Sequence, residues 1–143
     1  MTVEIRRITQ VSDALEEAFA RLMPQLSPRL GAPSREVLRR VAGSETGELL
    51  AAVAGERIVG VLTLAWYDAP SGRKAWIEDV VVDAATRGRG IGEALVREAL
   101  ALARREGVAR VMLTSNATRR ASHRLYERMG FVRYETDCFR LDL

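Results

Sequence analysis

The chain has 143 residues, of which 48% are hydrophobic and 29% charged. That length suits a single domain over 1–143 with a core of its own, and the composition excludes a disordered chain. The formal charge of +3 comes almost wholly from arginine, since Lys74 is the only lysine; so small an excess fits an anionic ligand and argues against nucleic acid, whose binders carry dense basic runs with interleaved aromatics.

A lone cysteine, Cys138, excludes an internal disulfide and any multi-Cys metal site. Met1 to Arg7 contain no apolar leader, and no run of about 18 apolar residues occurs, so a cytoplasmic protein that does not enter a membrane is expected.

Val3 to Ile8 alternates as a short strand. Ser12 or Asp13 then caps a helix with Leu15, Ala18, Phe19 and Leu22 on its apolar side. Pro24, Pro28, Gly31 and Pro33 predict a loop. Ser34 caps a second helix, Arg35 to Ala42, which Gly43 ends. Leu49 to Ala54 and Arg57 to Tyr67 read as a hairpin about Gly55-Glu56.

After the turn Asp68 to Gly72, Lys74 to Val82 reads as a strand buried on both faces at Val80, Val81 and Val82. A helix from about Gly90 to Glu106 follows, with Leu95, Ala99 and Leu102 in one stripe and an i,i+4 pair, Glu93 and Arg97, on the polar side. Arg110 to Thr114 is a strand and Arg119 to Met129 a helix, closed by Gly130 at a left-handed position with Phe131 packing behind it. Val132 to Thr136 and Cys138 to Leu141 read as two closing strands. The order βααβββαβαββ predicts an α/β (α+β) fold about one mixed sheet.

Asp83 to Gly92 joins the buried strand directly to a helix. Its glycines permit positive φ and close approach of backbone N–H groups to a ligand, and those groups lie at a helix N-terminus, where an anion is favoured. The loop Arg87-Gly88-Arg89-Gly90-Ile91-Gly92 therefore reads as a phosphate cradle. A P-loop is excluded because no Gly-Lys pair exists, and the dinucleotide fingerprint fails because Glu93 stands where its third glycine belongs.

The spacing Arg/Gln-x-x-Gly-x-Gly/Ala is met by Arg87, Gly90 and Gly92. Downstream, Ser115-Asn116 follows a strand, and Arg124-Leu125-Tyr126-Glu127-Arg128-Met129-Gly130-Phe131 follows in turn. In these residues the chain resembles the GCN5-related N-acetyltransferases (GNAT family). The resemblance covers most of the chain and is best from Ile77 to Phe131.

It implies acetyl-CoA as cosubstrate, with the pyrophosphate on Arg87 to Glu93. It implies also a bulged strand at Val80 to Val82, splayed from Arg110–Thr114. The pantetheine arm would lie in that cleft, and backbone N–H near Val80 would steady the oxyanion of the tetrahedral intermediate. Asn116 and Arg119 would touch pantetheine or phosphates, although Arg119 and Arg120 also read as ordinary solvated charges. No metal is implied.

Two side chains are candidate catalysts. Tyr126 would protonate the departing thiolate, or else packs its ring at a helix edge. Glu78, expected on one strand face with Trp76, Val80 and Val82, would deprotonate the attacking ammonium, or else pairs with an arginine. Asp79 is expected on the opposite face, His123 exposed and Cys138 in packing.

Two functions remain open: an N-acetyltransferase acting on a small-molecule or protein amine by direct attack in a ternary complex, and a non-catalytic CoA-binding sensor. Met23 to Pro33 and Trp66 to Arg73 would build the acceptor pocket without naming the acceptor. Homodimerisation through the C-terminal strands is a further expectation.

Overall fold

The computed structural model describes residues 2–116 and 118–143. Its order is β1 (Val3–Ile8), α1 (Asp13–Leu26), α2 (Arg35–Ala42), β2 (Gly47–Ala54), β3 (Arg57–Ala69), β4 (Gly72–Val82), a 3-10 turn at Ala84–Thr86, α3 (Ile91–Arg105), β5 (Arg110–Met112) and α4 (Arg120–Arg128). The strands form one sheet in the order β1-β2-β3-β4-β5, antiparallel up to β4, with β5 added parallel to β4. The mixed α/β fold read from the sequence is the fold observed.

Alternation along the strands divides the apolar residues between the two faces. Leu50, Ala52, Leu62, Leu64, Trp66, Ala75 and Ile77 pack with Ile91, Leu95, Val96, Ala99 and Leu102 of α3. Leu49, Ala51, Val53, Ile58, Val61 and Val81 pack with Leu15, Ala18, Phe19 and Leu22 of α1 and Leu38 of α2. The sheet is thus a middle layer, buried on both sides, which is why β2 and the first half of β3 are nearly continuous apolar runs. Gly60 lets α3 lie close to it: a Cβ there would stand 3.2 Å from Leu95 Cδ1 and 3.3 Å from Ile91 Cγ2. That close approach fixes where the start of α3 sits above β3 and β4.

The capping chemistry follows the sequence. Ser12 and Ser34 accept hydrogen bonds from the Leu15 and Val37 N–H groups, each at 3.2 Å. The predicted Glu93–Arg97 pair is present at 3.3 Å.

Two expectations are corrected. Pro24 does not end the first helix; α1 continues to Leu26, because a proline in the last turn removes one hydrogen bond while Leu22 and Met23 remain buried and Ser27 N–H still reaches Met23 O at 3.2 Å. The strands predicted at Val132–Thr136 and Cys138–Leu141 are not formed. Alternation makes a segment fit for a strand, but a ladder needs an edge to pair with, and β5 offers only three residues. Val132, Phe139 and Leu141 are left 85%, 91% and 83% exposed, and Cys138 is exposed rather than packed.

Candidate active site

The site begins with one inserted residue. Val61 pairs with Val81 and Thr63 with Glu78, so the single Leu62 of β3 faces two residues of β4, Asp79 and Val80. Asp79 takes φ 51°, the one non-glycine at positive φ among the described residues. This β-bulge bends β4. Beyond it β4 has no neighbour on its other side among the described residues, because pairing with β5 runs only from Lys74–Arg110 to Trp76–Met112. The bulge and the splay expected from the sequence are both present.

The bulge also overturns one expectation. Without it, Glu78 and Val80 would share a face. With it, Ile77 and Val80 both belong to the α3 side of the sheet, and Glu78 points to the α1–α2 side with its cross-strand partner Thr63. Glu78 is exposed and does not line the cleft described next. Partial desolvation of its carboxylate, with the Asp79 charge beside it, raises its pKa above the ordinary carboxylate value. It has no ion-pair partner among the described residues, so the alternative of a structural salt bridge finds no support there.

A cleft of about 740 Å³ opens between β4, the start of α3 and α4. Val80, Val81 and Val82 form its floor, Arg87, Gly88, Gly90, Ile91, Gly92 and Glu93 one wall, and Arg119 and Tyr126 the other. Gly88 and Gly90 have φ of 81° and 75°. A Cβ on either would meet nothing within 4 Å, so these glycines serve backbone conformation. Gly90 caps α3 without a side-chain hydrogen bond, which leaves the first N–H groups of the helix facing the cleft. Gly92 instead serves packing, its notional Cβ standing 3.3 Å from Leu125 of α4. Arg89 and Asn116 are not among the lining residues. Asn116 Oδ1 is taken locally by Thr118 N–H at 3.0 Å and by Thr118 Oγ1 at 2.9 Å.

The loop is anchored by a group that sequence reasoning passed over. Asp83 is the one buried charged residue of the described chain. Its carboxylate accepts from the Arg21 guanidinium at 2.7 Å and from Ala85 N–H at 3.1 Å. Arg21 also donates to Ile58 O at 2.8 Å, and Gln25 Oε1 accepts from Ala84 N–H at 2.8 Å. Burial would raise the carboxyl, but these donors, Ala85 N–H foremost, hold its pKa below the ordinary aspartate value. The far end of α1 is tied again where Arg119 donates to Leu26 O at 2.6 Å. The only sequence trace of this anchor was an acid placed directly after three valines.

Tyr126 is aimed by the way α4 ends. Gly130, at φ 98°, is the left-handed residue after the helix. Its N–H bonds Glu127 O at 3.1 Å, and Phe131 N–H reaches back to Tyr126 O at 3.0 Å. These two bonds define a Schellman cap, in which the residue after the glycine contacts the helix three positions before the cap. Phe131 and Tyr126 make that contact edge to face, centroids 5.7 Å apart at 67°. The spacing Tyr-x-x-x-Gly-Phe is thus a cap that locks the tyrosine ring. Burial raises the phenol pKa above its ordinary value and Arg119 partly offsets this, so the hydroxyl keeps its proton at neutral pH.

A sheet opened at a bulge beside a bare helix N-terminus is the arrangement that the resemblance implies, and comparison with known proteins fixes the family. The model of the Acetyltransferase (GNAT) family matches residues 12–131. Glucosamine 6-phosphate N-acetyltransferase 1 of Oryza sativa subsp. japonica is 38% identical over 117 residues, covering 82% of this chain and 64% of that protein. An acetyltransferase of Trypanosoma brucei superposes with a TM-score of 0.76 at 27% identity, over 99% of this chain and 100% of that one. An aminoglycoside acetyltransferase from an uncultured soil metagenomic sample reaches 0.84 at 19% identity, over 99% and 96%, and so speaks to the fold alone. The chain belongs to the GNAT acetyltransferase family. It spans less than two thirds of the length of the curated relatives it matches.

The Asp83 anchor generates a prediction. A depressed carboxyl pKa stabilises the fold above the unfolded value, about 4, and that contribution is lost as pH falls through the folded value. Asp83→Asn should therefore cost about 2 kcal/mol at pH 7, the worth of hydrogen bonds to a charged group. Urea unfolding midpoints from pH 7 down to pH 3 should show wild type and variant converging in acid. A constant difference at every pH would mean that Asp83 acts through shape alone.

Proposed function

We propose that this chain moves the acetyl group of acetyl-CoA to a primary amine of a small molecule or a protein, by direct attack with both substrates bound. The observation that carries the reading is the bulge at Asp79, which opens β4 beside the bare start of α3 and within the cleft that Tyr126 lines. The residues fit the cosubstrate: unhindered glycines at positive φ, free helix N–H groups for a pyrophosphate, and an unpaired stretch of strand for a pantetheine amide.

In this reading the N–H groups near Val80 polarise the thioester carbonyl and hold the negative oxygen that forms on attack. The amine nitrogen bonds to the acetyl carbon, and the carbon–sulfur bond breaks. Glu78, on the α1–α2 side, takes the ammonium proton through a water, and its raised pKa brings it nearer to the amine it must serve. The Tyr126 hydroxyl gives its proton to the departing sulfur. A free thiol is more acidic than a phenol by about 1.5 pKa units. Desolvation in the cleft raises the phenol and the thiol alike, so the proton moves only as negative charge develops on the sulfur during C–S cleavage.

The match to the rice enzyme supports an amino-sugar phosphate as the first acceptor to try. A non-catalytic CoA-binding module is the alternative, and the capped, partly buried Tyr126 favours the enzyme, since a sensor has no need of a fixed proton donor. Among the described residues no helix is long and apolar enough to cross a membrane and no acidic, His or Cys cluster could hold a metal. A cytoplasmic setting and a metal-free reaction remain part of the proposal. So does a homodimer. The exposed Val132, Phe139 and Leu141 and the unpaired edge of β5 suit strand addition between two copies.

Three measurements test this reading. CoA release over a panel of amines should slow about tenfold or more in Tyr126→Phe while CoA binding is kept, the usual size of acid catalysis; an unchanged rate with chemistry rate-limiting assigns the ring to packing. Glu78→Gln should lose rate at neutral pH and recover it at high pH, where the amine is already free, whereas an equal loss at all pH values rules out a base. Light scattering should give a dimer mass that falls to a monomer's when 132–143 are removed, and a full-length monomer contradicts the pairing.

A further inference from the structure

The cleft is lopsided in charge. Arg87, Arg119, Arg120, Arg124 and Arg128 line it, against the single carboxylate of Glu93, which is already paired with Arg97. Two of the five are held by backbone carbonyls: Arg87 by Val82 O at 3.4 Å and Arg119 by Leu26 O at 2.6 Å. Arg120, Arg124 and Arg128 have no side-chain partner among the described residues. They stand four residues apart on α4, one above the other, a stripe about 12 Å long at the helical rise of about 1.5 Å per residue.

Arg128, in the last turn of α4, suits the helix dipole, but the stripe as a whole does not. Like charges at i,i+4 repel. Arg120 is the first residue of α4, at the positive end of the helix dipole, and the first turn holds no acidic residue to offset it. An arrangement that costs stability in the free chain becomes favourable when an anion of high charge density sits against it. In the reading proposed above, the pyrophosphate is already accounted for by the start of α3. One phosphate of coenzyme A is left, the 3′-phosphate of its ribose, a monoester with a charge near −2 and oxygens that match guanidinium forks.

We infer that Arg120, Arg124 and Arg128 form a subsite for the 3′-phosphate of coenzyme A, by which the chain prefers CoA to its 3′-dephospho form. This rests on the cleft being the acetyl-CoA site. The stripe contributes to binding and leaves the acyl end, beside Tyr126 and Val80, unaffected.

Titration calorimetry with CoA and with 3′-dephospho-CoA tests it. Wild type should bind CoA about tenfold or more tightly, with the preference shrinking as salt is raised. The triple variant Arg120→Gln/Arg124→Gln/Arg128→Gln should bind both ligands alike, at the wild-type affinity for the dephospho form. Without ligand its melting temperature should equal or exceed the wild type's, since repulsion has been removed; Arg124→Gln alone, with part of the preference lost, serves should the triple variant fold poorly. Equal binding of both ligands by wild type, or a preference that survives in the triple variant, overturns the subsite while leaving the acetyl-CoA site standing. Failure of wild type to bind either ligand overturns the site and the subsite together.

Discussion

Everything in the site depends on the parity of one strand. A β-strand shows alternate residues to alternate faces, and one inserted residue reverses the alternation from there onward. Asp79 is that residue in β4. Before it, Ala75 and Ile77 face α3 and Glu78 faces α1 and α2; after it, Val80 and Val82 face α3. The Glu78 carboxylate is thereby set on the opposite side of the sheet from Val80 and the cleft it lines. In the proposed reaction the two substrates would then approach the same gap from two faces. A regular strand would have put acid and cosubstrate on one face and closed the gap with a continuous ladder.

The bulge is useful only if the walls around it hold still. On one side Asp83, directly after β4, is gripped by Arg21 and Ala85 N–H, so the glycine loop leaves the strand at a fixed angle. On the other the Schellman cap at Gly130 sets Phe131 against Tyr126. Gly60 and Gly92 bring α3 close to β3 and α4 close to α3 by having no side chain where Leu95 and Leu125 come in. The last turns of α1 touch both the glycine loop, through Arg21 and Gln25, and the start of α4, through Arg119 on Leu26 O. Order in one is thereby tied to order in the other.

Much of this was legible in the residues. The apolar runs of β2 to β4, the stripe of α3, the serine caps and the glycine loop are local patterns, and local patterns survive into the fold. Tyr126 and Gly130 were legible because a cap has a fixed spacing. What escaped was non-local or conditional. The Arg21–Asp83 pair joins residues 62 apart in sequence, and nothing near either one announces the other. The site of the bulge was not marked, because an aspartate can adopt positive φ but does so only when the sheet requires it, so Glu78 was placed on the wrong face. Val132–Leu143 has the alternation of strands, but the edge beside it, β5, is only three residues long, and alternation alone does not lengthen it.

The preference for arginine over lysine has a consequence for anyone who measures this chain. Lys74 is the only lysine, and it lies in β4 four residues before Glu78, opposite Tyr67 of β3. Guanidinium groups do not serve as acetyl acceptors under the conditions in which amines do. A GNAT chain incubated with an activated acetyl donor therefore presents one side-chain amine of its own, about 13 Å along the strand from Glu78 at the usual rise per residue. Self-acetylation at a side-chain amine is confined to that one position, distinguishable from the thioester that the exposed Cys138 could form. That position is on the strand face where the acceptor is proposed to arrive.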